Sequence, residues 1–199
     1  MKKLILIFSL ILLASCSNFN SSIRDLLSSK DWELTPYNAK GLKITLIPPT
    51  GFWITIPPKP SYVNSIQRRL QLKAGQTITV KYRVSTVSGT PVFQATEGTD
   101  PANFSVMFAR GLVDERWYVA GINYVKLQDA LDKGIQVYSV KLTPELWQDV
   151  RGHQFPDHFN NEIQDARIVE IVFGGQFRAH GIEVRGGTVK FEVLDFSIK

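Results

Sequence analysis

Apolar and polar residues alternate with a period of two along much of this chain, and no other feature constrains the fold as strongly. The alternation is clear in residues 42–46, 52–56, 78–84 and 104–108. Successive side chains of a β-strand point to opposite faces, so each stretch predicts a strand with one buried face. Residues 168–173 are apolar almost without a break, which predicts a central strand covered on both sides.

Glycine and proline separate these stretches, at residues 73–76, 88–91, 98–101, 133–134, 174–175 and 185–187, and we interpret all six as turns. Many short strands joined by such turns predict an all-β fold, a single antiparallel β-sandwich. We expect its core to contain Val80, Phe108, Ile171 and Phe191. No stretch predicts a long helix. Residues 127–131 and 144–150 predict short helical turns, and Pro156 with the missing helical period places residues 151–162 in a loop.

The phase of the alternation changes within two of the predicted strands. The apolar residues of 189–193 share one face, whereas those of 196–198 share the other, and residues 135–142 change phase in the same way. A β-bulge inserts one residue into a strand and flips its phase. The sequence therefore predicts a bulge in each strand, as suits a curved sandwich.

The N-terminal residues have the anatomy of a signal peptide. Residues 1–3 carry two lysines, and residues 4–14 form an apolar run that only Ser9 interrupts. The run is shorter than the ~20 residues of a spanning helix, as in a signal peptide. It ends in Leu13-Ala14-Ser15-Cys16, which resembles the bacterial lipobox. The resemblance implies cleavage before Cys16 and its acylation, palmitate included. The alternative is an ordinary secretory signal with an incidental cysteine.

These features divide the chain into three predicted parts. Residues 1–15 are the lipoprotein signal peptide, residues 16–31 are the lipidated cysteine with a short tether, and residues 32–199 are the sandwich domain. Two or three acyl chains anchor a protein stably without a transmembrane helix, so one expected partner is the lipid bilayer. Ser17 follows Cys16, and for a Gram-negative cell the lipobox resemblance then implies the outer membrane; the sequence leaves the cell type open.

Charge argues against a nucleic-acid partner. The full chain carries a net charge of +5, and removal of Lys2 and Lys3 with the signal peptide lowers it to +3. Arg68-Arg69 is the one basic cluster in the sequence, whereas nucleic-acid-binding domains present basic stripes. Cys16 is the one cysteine, which excludes a disulfide scaffold.

Three stretches of the mature chain resemble the galactose-binding-like jelly-roll sandwiches that include many carbohydrate-binding modules. They are residues 72–84 (LKAGQTITVKYRV), residues 142–152 (LTPELWQDVRG), and the group 173–175 (FGG), 180–181 (HG) and 187–198 (GTVKFEVLDFSI). The resemblance extends over residues 32–199 and implies a jelly-roll fold and a glycan ligand. Binding sites differ among these modules, so it implies no particular site residue.

Sugars stack their C–H faces on aromatic rings and take hydrogen bonds from planar polar groups. Trp53 shares a strand face with Thr55. If that face meets solvent, the ring is a platform for a sugar; the alternative is a strand covered on both faces. Arg110 ends a predicted strand at the rim of the sandwich, where it contacts either a ligand or a structural partner such as Asp114 or Glu115.

Trp117 and Tyr118 lie on the loop predicted to follow that strand, and loops on rigid sandwiches often carry binding residues. The two rings form either a recognition tip or a lid packed on the domain. Together, Trp53, Arg110, Trp117 and Tyr118 are the predicted ligand-binding residues.

Catalytic and cofactor motifs are missing from the sequence. It has no nucleophile elbow, zinc-protease motif, P-loop or dinucleotide fingerprint. We therefore assign no catalytic residue, no metal and no cofactor. Three hypotheses remain: a non-catalytic anchored module that binds a glycan or similar polyhydroxylated ligand, an envelope assembly lipoprotein with a protein partner, and a hydrolase of small substrates. A carboxylate pair ~5–10 Å apart inside a cleft would favour the hydrolase.

Overall fold

The computed structural model describes residues 31–59, 62–97, 101–111, 116–119, 123–175 and 180–199. They belong to one compact unit, Asp31–Lys199. None of the helices in these ranges is long and apolar enough to cross a membrane. The predicted signal peptide, Cys16 and nearly all of the tether lie outside the described residues.

The described strands form two sheets, of seven and six strands. Sheet 1 contains β1 (Glu33–Leu34), β5 (Ser65–Arg69), β7 (Asn103–Ala109), β8 (Arg116–Val119), β9 (Val125–Lys126), β11 (Trp147–Asp149) and β12 (Ile168–Gly174). Sheet 2 contains β2 (Ile44–Ile47), β3 (Gly51–Ile56), β4 (Tyr62–Val63), β6 (Thr77–Ala95), β10 (Ile135–Lys141) and β13 (Ile182–Ile198).

The strand order and direction define an antiparallel sandwich. Sheet 1 runs β1-β5-β12-β7-β8-β11, with β9 paired to β7, and sheet 2 runs β10-β6-β13-β3-β2, with β4 paired to β13. Pairing between these strands is antiparallel throughout. The chain passes repeatedly from one sheet to the other, as in a jelly roll. The predicted fold class is confirmed.

An aromatic cluster fills the space between the sheets. The Phe191 ring lies 5.2 Å from the ring of Phe104 and 5.0 Å from that of Phe173, measured between centroids. All four residues predicted for the core (Val80, Phe108, Ile171 and Phe191) are buried. The predicted central strand is also confirmed, because β12 lies between β5 and β7 and is buried along its whole length.

Two of the predicted turns lie inside long strands. Gly89 is in the middle of β6, and Gly186 and Gly187 are in β13, where the two strands pair. Gly89 and Gly186 have positive φ angles of 70° and 71°, and a Cβ on any of the three would overlap the opposite backbone. The turn prediction was wrong here because glycine also permits close approach and a change of register within a strand.

The two predicted bulges have different outcomes. The register of β13 against β6 shifts between Val193 and Asp195, which confirms the phase change in residues 189–198. Strand β10 pairs with β6 without any shift, so the second bulge was wrong. Instead, the apolar side chains of Ile135 and Val137 lie on the outer face and are 54% and 64% exposed. The buried side chains of this strand begin with Tyr138.

Short helices connect the strands. Helix α1 spans Leu127–Ala130 and a 3-10 turn spans Pro144–Leu146, as predicted, but residues 151–162 are not all loop, because α2 spans Pro156–Asp165. Proline is favoured in the first turn of a helix, so Pro156 begins α2 rather than excluding it. Phe159 and Ile163, four residues apart, are the apolar pair that α2 buries.

Candidate functional site

The outer face of sheet 1, which points away from the core, carries a row of mainly polar side chains across six strands. The register aligns Glu33 with Gln67, Gln67 with Glu170, Glu170 with Met107, and Met107 with Tyr118 and Gln148 beyond it. We call these six residues the polar row. Its centre is buried and its ends are partly exposed, so the row has a covered middle and accessible ends.

Glu170 is the central group of the polar row and is 1% exposed. Burial raises the pKa of its carboxyl, although the charge of Arg116 and a hydrogen bond from Ser65 oppose the rise. Charged side chains are almost never fully buried unless they are paired. Glu170 therefore has an environment that favours a neutral carboxyl or a further hydrogen-bonding partner.

Arg116 links this carboxyl to two tyrosines. Arg116 interacts electrostatically with Glu170 and hydrogen-bonds Tyr118. Its guanidinium carbon also lies 5.5 Å from the centre of the Tyr37 ring, and Tyr37 is 50% exposed. Arg116 and Tyr37 thus lie beside Tyr118 of the polar row, and together they combine ring surfaces with a planar donor.

Among the described residues, four buried polar atoms on this face have no hydrogen-bond partner. They are Glu33 Oε2, Gln67 Oε1, Arg69 Nε and Glu170 Oε2. One further such atom in the described part of the chain, Trp117 Nε1, lies on the core side. A buried polar atom without a partner costs about 1–3 kcal/mol. Four of them on adjacent strands indicate a surface that a ligand or ordered water completes.

The outer face of sheet 2 is organised differently, because its buried carboxylate is fully paired. Glu192 Oε2 accepts a hydrogen bond from Arg83 Nε at 2.6 Å, and Oε1 accepts one from Lys190 Nζ at 2.7 Å. Burial would raise the pKa of Glu192, but these two partners outweigh it and lower the pKa. Lys190 Nζ also lies 4.7 Å from the centre of the Trp53 ring.

Trp53 lies on this outer face, paired with Thr45 and Glu192, and is partly exposed. It lines a cleft of about 420 Å³, which we call the tryptophan cleft. The cleft is bordered by Lys40, Gly41, Leu42, Lys43, Thr45, Trp53, Thr55 and Pro57. That the Trp53 ring is a platform for a sugar remains a prediction. Strand β3 does have the solvent-facing side that such a platform requires.

Trp117 is not a binding platform, contrary to the prediction. Residues 116–119 form strand β8 rather than a loop, and the Trp117 side chain is fully buried. Its ring stacks on Phe108 at a centroid distance of 6.2 Å and meets Phe159 of α2 edge-on at 5.7 Å. A strand turns successive side chains to opposite faces, so Trp117 enters the core while Tyr118 joins the polar row.

Arg110 makes ion pairs with α2 rather than facing an open groove. Its Nη2 lies 2.9 Å from Glu162 Oε1 and 3.7 Å from Asp165 Oδ2. The structural alternative predicted for Arg110 therefore describes its contacts, but with different partners. Asp114 and Glu115, the partners suggested by the sequence, lie outside the described residues.

The four predicted ligand contacts consequently do not form one site. Trp53 lies on the outer face of sheet 2, Tyr118 on the outer face of sheet 1, Trp117 in the core and Arg110 beside α2. Sequence reasoning grouped them because the sequence does not reveal which strands share a sheet.

Glu170 and Arg116 are the residues that the sequence analysis missed. Glu170 is the single charged residue in the apolar stretch 168–173, and a carboxylate in a strand covered on both sides was a usable signal. Gln67 and Glu33 carried no comparable signal, because isolated polar residues in short strands are common.

Comparisons with known proteins give no family. No family model matches the sequence, and no curated protein matches it. Solved structures with a similar arrangement include the family 11 carbohydrate-binding module of a cellulosomal cellulase from Clostridium thermocellum. It has a TM-score of 0.42 and 10% identity, and the match covers 82% of this chain and 87% of that chain.

Two further structural neighbours are carbohydrate-binding modules. A family 28 module specific for non-crystalline cellulose has a TM-score of 0.41 and 12% identity, over 83% of this chain and 86% of that chain. A family 6 module from Clostridium stercorarium, solved in complex with cellobiose, has a TM-score of 0.28 and 13% identity, over 85% of this chain and 88% of that chain.

Proposed function

We propose that this protein is a glycan-binding lipoprotein of the bacterial cell envelope, with its binding surface at the polar row. The observation that carries the proposal is the group of four buried, unpartnered polar atoms at Glu33, Gln67, Arg69 and Glu170. The two glutamates, when ionised, and the Gln67 oxygen accept hydrogen bonds, whereas Arg69 Nε donates one. These atoms are themselves covered, so a ligand engages them only where the partly exposed side chains of Glu33 and Arg69 turn outward, and it must then offer both donors and acceptors.

A polyhydroxylated ligand meets this requirement. Each hydroxyl donates one hydrogen bond and accepts others, and a sugar ring carries several hydroxyls side by side. Tyr37 and Tyr118 supply ring surfaces for its C–H face. Arg116, which contacts both tyrosines and the Glu170 charge, supplies a rigid, planar donor.

A glycan-array screen of the detergent-solubilised full-length protein tests this proposal. We expect binding in the micromolar to millimolar range, because a few stacking and hydrogen-bond contacts each contribute modestly. Tyr37→Ala should weaken binding of the best ligand by about 1–3 kcal/mol, as for other exposed interface aromatics. Phe155→Ala is the matched control, since Phe155 is 51% exposed and Tyr37 is 50% exposed, but Phe155 precedes α2, outside both sheets.

If Tyr37→Ala and Glu170→Gln both bind as the unmodified protein does, the polar row is not the binding surface. If no glycan binds at all, the remaining proposal is an envelope assembly lipoprotein with a protein partner.

The lipid anchor is a separate part of the proposal and rests on Leu13-Ala14-Ser15-Cys16. We expect Cys16→Ser to abolish acylation, so the protein should leave the detergent phase or remain unprocessed. Mass spectrometry of the N-terminal peptide is the direct measurement. An unmodified Cys16 in the mature protein would exclude a lipid anchor and leave an ordinary secreted domain.

A further inference from the structure

The tryptophan cleft lies on the opposite sheet from the polar row, so it is a separate candidate site. Trp53 and Thr55 of β3 and Thr45 of β2 form one wall, and the segment of residues 40–43 forms another. The walls therefore combine one large aromatic ring with hydroxyl groups. The volume of about 420 Å³ is within the range of small-molecule sites.

A paired network holds the aromatic ring in place. Lys190 contacts the Trp53 ring and is bound to Glu192, which is bound in turn to Arg83. Because Glu192 accepts from both cations, its carboxylate is already satisfied and does not oppose a negative ligand. The three charges together leave one net positive charge beside the ring.

The cleft itself is cationic. Lys40 and Lys43 are exposed and line it, and neither makes an ion pair within the described residues. The described residues that line the cleft include no aspartate or glutamate. Two lysine ammonium groups next to a tryptophan ring suit a ligand with both a stacking face and a negative charge.

We propose that the tryptophan cleft binds a negatively charged saccharide, with a sugar ring stacked on Trp53 and its acidic group at Lys40 and Lys43. The Thr45 and Thr55 hydroxyls, the Trp53 indole N–H and the lysine ammoniums are the hydrogen-bonding side chains of the described lining. They match hydroxyl and acid groups, whereas reading a nucleobase edge requires paired donors and acceptors such as amides. The acidic group is a carboxylate or a sulfate, which share this chemistry.

Isothermal titration of the detergent-solubilised full-length protein tests the proposal with four probes. They are trigalacturonate, its carboxyl-reduced neutral counterpart, a sulfated tetrasaccharide, and a short thymidine oligonucleotide. We expect an acidic sugar to bind at least about tenfold more tightly than the neutral one, with the difference shrinking at high salt as screening increases. The two acidic arms show whether carboxylate or sulfate is preferred.

Variants assign the binding to the cleft. The double variant Lys40→Gln, Lys43→Gln and the single variant Trp53→Ala should each weaken acidic-sugar binding about tenfold or more. Lys81→Gln is the matched control, because Lys81 is exposed on the same face but does not line the cleft. Trp53→Phe keeps an aromatic ring and should retain part of the affinity, which separates stacking from a folding defect.

The proposal is overturned if the neutral sugar binds as tightly as the acidic one, if the lysine variants bind as Lys81→Gln does, or if the oligonucleotide binds most tightly. The polar row is tested by a different variant, Tyr37→Ala. Loss of one activity therefore leaves the other measurable.

Discussion

Glu170 and Glu192 lie at the buried centres of the two outer faces, and they differ in almost every other respect. Glu192 has a cation on each carboxylate oxygen, and its pKa is lowered. Glu170 keeps one oxygen without a partner, and its pKa is raised by burial. The buried carboxylate on the outer face of sheet 2 is thus paired within that sheet, whereas the outer face of sheet 1 leaves four buried polar atoms without a partner among the described residues.

This difference matters because burial of polar atoms stabilises a protein only when hydrogen bonds compensate for lost water. Sheet 2 achieves the compensation within its own strands, which fixes Trp53 at the surface. Sheet 1 tolerates unpartnered atoms at Glu33, Gln67, Arg69 and Glu170. Buried polar atoms that stay without partners despite their cost in stability are typical of functional sites.

The largest expected effect concerns neighbours on β8 that face opposite sides of sheet 1. Trp117→Ala should lower the free energy of unfolding by about 3–5 kcal/mol, because it empties a fully buried ring site among Phe108 and Phe159. Tyr118→Ala should cost clearly less, since its side chain is on the partly exposed outer face. Denaturant unfolding of both variants is the measurement, and equal losses would contradict this division of β8.

The next prediction compares the two glutamates directly through pH. Because the pKa of Glu170 is raised, its ionisation destabilises the fold as pH rises above the unfolded value of about 4.3. Glu170→Gln removes this penalty, so the variant should gain stability relative to the unmodified protein between about pH 4 and pH 7.

Glu192→Gln should behave in the opposite way. Because the pKa of Glu192 is lowered, its ionised carboxylate stabilises the folded protein above about pH 4.3. This stability is lost as pH falls through the pKa of Glu192 in the folded state. At pH 7 the variant should be less stable by about 1 kcal/mol, since its partners Arg83 and Lys190 are partly exposed. Unfolding curves from pH 3 to pH 7 give both profiles, and two profiles of the same sign would remove the contrast between the faces.

The smallest expected effect tests which side of β10 faces the core. Val137 is 64% exposed, so Val137→Thr should change the unfolding free energy by less than about 0.5 kcal/mol. Val140 is 3% exposed, and Val140→Thr buries a hydroxyl that should cost about 1–3 kcal/mol. A larger loss of unfolding free energy for Val137→Thr than for Val140→Thr would contradict this assignment and favour the bulge predicted from the sequence.

The sequence determined many of the strands and the tested core positions because each is a local pattern, although it assigned β8 to a loop and placed turns within β6 and β13. Alternation with a period of two identified the sandwich, the buried residues of its core and the bulge near Val193, and the continuous apolar stretch identified β12 as central. These features depend on which side of a strand a residue occupies, and that side follows directly from spacing along the chain.

Tertiary structure alone decided what the two outer faces contain. Pairing of β5 with β12 and of β7 with β8 brings Gln67, Glu170, Met107 and Tyr118 into one row, and pairing of β3 with β13 brings Glu192 to Trp53. Residues that meet in this way are up to about a hundred and forty positions apart. No local pattern encodes that pairing, because hydrogen bonds between strands use backbone groups that every residue has.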